Sequence, residues 1–122
     1  MDFNKIIIVG HVGSDPELHE FPSGAVKASF SVATSRNGKD EPETTWHNVE
    51  CWSKTAEFAG EHIHRGDKVL VEGEQLESKW ETTKGEKRSR PYISAFRVVS
   101  LTSKTKQMKN GFLLYDPDDE PF

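Results

Sequence analysis

The chain has 122 residues and a formal net charge of −4, enough length for one domain with its own core. A single cysteine, Cys51, excludes an intramolecular disulfide and a cysteine-based metal site, which fits a reducing cytosol. No apolar run approaches a membrane span and the N-terminus lacks the build of a signal peptide, so the chain is expected to be cytoplasmic and to bind no membrane.

Residues 4–9 carry Ile6-Ile7-Ile8-Val9, apolar on both faces, which predicts a buried strand. Residues 10–24 are punctuated by Gly13, Asp15-Pro16 and Pro22-Ser23-Gly24 and read as turn, short ordered stretch, turn. Residues 26–34 alternate, with Val26, Ala28, Phe30 and Val32 inward and Lys27, Ser29 and Ser31 outward. Residues 35–43, containing Asn37-Gly38 and Pro42, read as a polar hairpin loop before a strand over 45–52.

The period then changes. Ala56, Ala59 and Ile63 recur at helical spacing over 53–65, with Ser53 or Thr55 as candidate cap and Gly66 as a left-handed close. Residues 68–81 return to strand, with Gly73 offering a bend. A charged loop over 82–90 leads to a strand over 92–101. The rest is polar as far as Phe112-Leu113-Leu114-Tyr115, followed by an acidic end. Five strands with one helix between the third and fourth predict an all-β OB-fold barrel, followed by a flexible acidic tail. The expected organisation is a domain over 1–103, a short linker over 104–115 and a tip over 116–122.

The strand over 45–52 is the most informative segment. Trp46 and Trp52 are six residues apart, so a period of two sets both indoles on one side, ~20 Å apart at about 3.3 Å per residue. Asn48 and Glu50 share that side, which is therefore no core face; Val49 and Cys51 point the other way. Displayed indoles on a sheet are platforms for unpaired bases. The charge distribution permits a polyanionic ligand. Four of the 20 acidic residues (Asp116, Asp118, Asp119 and Glu120) lie at the end, leaving 16 acidic against 16 basic elsewhere. Basic residues cluster over 79–90.

Asn4-Lys5-Ile6-Ile7-Ile8-Val9-Gly10, Asp15-Pro16-Glu17, Ala33-Thr34-Ser35, Thr45-Trp46-His47, Val71-Glu72-Gly73, Lys79-Trp80 and Pro121-Phe122 occur in one order. In this the chain resembles bacterial single-stranded DNA-binding proteins over residues 4–101 and again over the last seven. The resemblance implies a homo-oligomer, usually a tetramer, that wraps single-stranded DNA in replication, recombination and repair. It implies base stacking on Trp46, Trp52 and Trp80. It makes His47 the family histidine near the subunit interface, beside an equally good reading as a satisfied core imidazole. Arg36, Lys54, Lys79, Lys87, Arg88 and Arg90 flank the aromatic side and are the expected phosphate contacts. Arg36-Asn37-Gly38 stands where some members have a further tryptophan, and Glu74-Gln75-Leu76-Glu77 is more acidic than the family norm. The end resembles the family's docking tip. Asp116, Asp118 and Asp119 offer charge to a basic rim, and Pro121 and Phe122 fit a pocket on replication and repair proteins.

His62 and His64 fall on different helix faces and His11 and His19 in separate turns, so no metal site is expected. No nucleophile motif or phosphate-binding glycine loop is present, so neither enzymatic activity nor a cofactor is expected. The competing reading is a primosomal-type OB-fold adaptor that binds DNA weakly and mainly bridges replication proteins. A third makes the tryptophans interface residues of an oligomeric scaffold.

Overall fold

A computed structural model describes residues 1–102, together with the backbone of 107–109 and 112–114. The elements in chain order are β1 (Ile6–Val12), β2 (Glu17–Glu20), β3 (Val26–Asn37), β4 (Pro42–Trp52), α1 (Ser53–His62), β5 (Lys68–Glu81) and β6 (Lys87–Ser100). Two three-residue strands, β7 (Gln107–Lys109) and β8 (Phe112–Leu114), form a separate hairpin where the sequence showed only polar chain and an apolar run.

The expected five-stranded barrel with one helix is present. Its circuit runs β1-β5-β6-β4-β3 and returns to β1 through His11↔Ala33 and Val12↔Val32. The β4–β6 pairing, Val49↔Ile93 to Cys51↔Ala95, is parallel; the others are antiparallel. β2 is the short ordered stretch between turns, and it shares the second edge of β3 with β1.

Inward positions follow the alternation. Phe30, Val32, Val49, Cys51, Val69, Val71 and Ile93 are buried, and α1 caps the core with Ala56 and Ala59, followed by Ile63. Each buried valine or isoleucine contributes about 1.5–3 kcal/mol through removal of apolar surface from water. Gly73 marks the expected bend. Glu72 pairs Arg97 but Gly73 pairs Ala95, so Phe96 is the extra residue of a bulge. A Cβ at Gly73 would collide with the carbonyl oxygen of Ser94, so only glycine lets the strands approach there.

Four local expectations are corrected. β1 is not buried on both faces: Ile7 and Val9 are exposed, because no described residue covers the barrel's outer surface there. The polar stretches over 35–43 and 82–90 are part ladder rather than all loop. Pairing continues to Asn37↔Pro42 and to Glu81↔Lys87, which leaves turns of a few residues. Helix α1 is not capped by Ser53 or Thr55. Trp52 is the N-cap, no side chain caps the helix, and Ser53 takes φ 56°. Gly66 has the expected left-handed φ of 91°, but the helix has already ended, with Ile63 extended. Gly66 belongs to a turn tied to β1, its N–H donating to the Val12 carbonyl at 2.8 Å.

Candidate nucleic-acid interface

Cross-strand register turns the outward positions of β3 and β4 into rows. Ala33 lies opposite Trp46, Ser31 opposite Asn48, Ser29 opposite Glu50, and Lys27 opposite Trp52. β2 extends two rows, with Glu17 beside Ser29 and His19 beside Lys27. The two indoles thus stand at opposite ends of a polar floor, as their spacing implied. Trp46 is 62% exposed and Trp52 44%.

Trp46 rests its ring edge on Gly13: a Cβ there would collide with Cζ3 and lie 2.8 Å from the Ser31 hydroxyl. The bare backbone of that turn sets the indole's tilt. Trp52 has company the sequence did not reveal. Phe21 stacks on it, with centroids 5.5 Å apart and planes 21° from parallel, and His19 meets Phe21 edge-on at 4.6 Å. The Lys27 ammonium lies 5.9 Å from the Trp52 ring centroid and donates to Glu50 Oε1 at 3.2 Å. Phe21 covers one face of Trp52.

Trp80 arrives from the β5–β6 ribbon, which projects beyond the barrel. With Arg90, Tyr92, Asn48, Glu50 and Ser29 it lines an open groove of about 620 Å³ running over the β3–β4 floor. A second hollow of about 420 Å³ lies at the ribbon's end, between Trp80, Lys79, Lys87 and Arg88.

The six cations expected to flank the aromatics are not on one surface. Trp80 pairs Arg88 and Ser78 pairs Arg90, so both arginines share the indole's side of the ribbon. Lys79, opposite Ser89, and Lys87, opposite Glu81, occupy the reverse side. Arg36 pairs Glu43 at 3.0 Å on the side of its ribbon away from Trp46, and Lys54 stands in the first turn of α1. Arg88 is held by Glu86 at 2.7 Å, while Arg90 donates to Asn48 Oδ1 at 3.3 Å across the groove.

His47 is half-buried and its Nε2 lies 2.9 Å from Thr34 Oγ1. Burial pushes the Cys51 thiol up to about 11, so it is inert at neutral pH. Among the described residues no three His, Cys, Asp or Glu side chains group as metal ligands, and no helix is long and apolar enough to cross a membrane. Asp116, Asp118, Asp119, Pro121 and Phe122 lie outside the described residues.

Sequence reasoning missed Lys27, Phe21 and Glu17. Lys27 was legible as outward-facing, but its place beside Trp52 depends on register. Phe21 sits in a turn before Pro22, where no periodicity distinguishes it.

Comparison with known proteins bears on what this surface does. The model of the Single-strand binding protein family matches residues 3–101. A curated relative, the single-stranded DNA-binding protein of Neisseria meningitidis serogroup A, is 38% identical over 106 residues. The match covers 83% of this chain and 61% of that protein, so the chain spans less than two thirds of the relative's length.

Proposed function

The chain belongs to the single-strand binding protein family, and we propose that it binds single-stranded DNA with little sequence specificity, as a non-enzymatic protein of replication, recombination and repair. The observation that carries this reading is the set of three exposed indoles, with Trp46 and Trp52 at the two ends of the β3–β4 floor and Trp80 lining, beside Arg90, the open groove that runs over it. Every base has a π-face, so stacking on indoles binds a strand without reading it. A duplex offers no unstacked base, which makes the groove selective for single strands. Arg88 and Arg90 pair the phosphates nearest Trp80, and Arg36, Lys54, Lys79 and Lys87 extend the backbone path beyond the groove.

The same reading assigns residues 1–103 to DNA binding, 104–115 to a linker and 116–122 to partner docking. Asp116, Asp118 and Asp119 meet a basic rim on a replication or repair protein, and Pro121 and Phe122 fill its pocket. A homo-oligomer, a tetramer by family resemblance, is supported by the outer surface of β1. Ile7 and Val9 are exposed there, with Leu70 of β5 in register beside Val9, an apolar strip that a second copy would cover.

One observation favours the adaptor reading. Glu17 and Glu50 both line the groove, and carboxylates repel a phosphate backbone. Competition separates the two. A single-stranded binder retains labelled oligo(dT) against excess duplex and releases it to unlabelled single strand. An adaptor retains little in either case, and equal competition by duplex would overturn the proposal.

A further inference from the structure

We infer that Lys27 is a phosphate site beside Trp52 and that Glu50 closes it in the free protein, so that DNA must displace an internal carboxylate to use it. The inference rests on the DNA-binding reading above and adds a residue pair to it.

Outward positions 27, 29, 31 and 33 of β3 and 46, 48, 50 and 52 of β4 form the floor between the two indoles. Lys27 is its one cation and Glu50 its one anion, and the two are paired at 3.2 Å. Their side chains are 26% and 29% exposed, so the pair is accessible without being loosely solvated. Lys27 lies directly opposite Trp52 in register, its ammonium beside the indole. A nucleotide whose base stacks on Trp52 carries its own phosphate within reach of that ammonium.

Glu50 is placed to compete. It points into the groove that holds Trp80 and Arg90, and Glu17 stands in the same cross-strand row with Ser29 between them. A phosphate approaching Lys27 therefore meets a carboxylate already bound there and a second one on the neighbouring strand β2. The ion pair acts as an attenuator. It lowers affinity at the Trp52 end of the floor, from which a bound strand is peeled more readily than from Trp80 and Arg90.

Glu50→Gln keeps the side chain's shape on an outer surface and removes its charge. Tryptophan fluorescence titrations of the full chain with oligo(dT) at several NaCl concentrations supply the test. E50Q should bind about 2–5-fold tighter at low salt, the range an exposed charge pair controls. The slope of log K against log salt should steepen by ~0.7, one further phosphate neutralised on a single strand. In the double variant K27Q/E50Q the steepening should vanish, because the cation that received the phosphate is gone. Unchanged affinity and slope in E50Q would overturn the inference. Steepening that persists in the double variant would overturn it too, since Glu50 would then act as a general repulsive charge and not through Lys27. Failure of the unmodified protein to bind oligo(dT) would instead bring down the DNA-binding reading on which the inference rests.

Discussion

At the scale of single residues, the indoles differ in how they are held. Trp46 leans on bare backbone at Gly13, Trp52 is backed by Phe21, and Trp80 stands on a projecting ribbon. None belongs to the buried core, so replacing one by alanine should leave the fold intact. Each replacement should weaken oligo(dT) binding by about 1–3 kcal/mol per base stacked there. Equilibrium titration of the three variants checks this, with circular dichroism to confirm folding. Phe21→Ala should weaken binding as well, through Trp52.

Cys51 gives a prediction that concerns the fold alone. Its pKa rises from 9.0 to about 11 because burial disfavours the thiolate. A raised pKa means stability that is whole below pH 9.0 and is lost as pH climbs through about 11. The loss amounts to about 2–3 kcal/mol, two pKa units at 1.36 each. Denaturant melts at pH 8 and pH 11 should show a steeper decline for the native sequence than for Cys51→Ala.

At the scale of elements, the β5–β6 ribbon separates two sets of cations. Arg88 and Arg90 share the side of Trp80, while Lys79 and Lys87 lie behind it. Neutralising both arginines should flatten the salt slope by ~1.4, at ~0.7 for each phosphate. Neutralising the two lysines should change it less. Equal effects would mean that the strand wraps both sides of the ribbon.

The ribbon also shows why part of the architecture was legible in the sequence and part was not. Alternation is local, so the inward run Ala28, Phe30, Val32 and the common side of Trp46 and Trp52 could be read from the residues directly. Beyond the barrel a ribbon has no core beneath it, so nothing selects alternating apolar residues. Residues 35–43 and 82–90 therefore look like loops although half of them pair. Register is non-local, which hid the neighbourhood of Lys27, Trp52 and Glu50. The exposed strip of Ile7 and Val9 looked like core because an apolar outer surface and a buried strand carry the same residues.

At the scale of the whole molecule, charge and docking should separate. Residues 116–122 hold four carboxylates and no base, so removing them takes the formal charge from −4 to 0. Oligo(dT) binding should tighten modestly, most at low salt where screening is least. Deleting Phe122 alone should leave DNA affinity nearly intact and abolish capture of a nuclease or helicase partner, measurable by surface plasmon resonance on both variants. Equal partner binding by the Phe122 deletion would make the tail a solvated end.

The central claim is that three displayed indoles receive unpaired bases, and tryptophan fluorescence reports on those side chains directly. They are the only tryptophans in the chain. Titrating the protein with oligo(dT) at low salt should quench the emission strongly and saturably, and the quenching should reverse as NaCl is raised. Emission that stays unchanged at saturating oligonucleotide would contradict the account, because indoles that bases stack on cannot remain unperturbed.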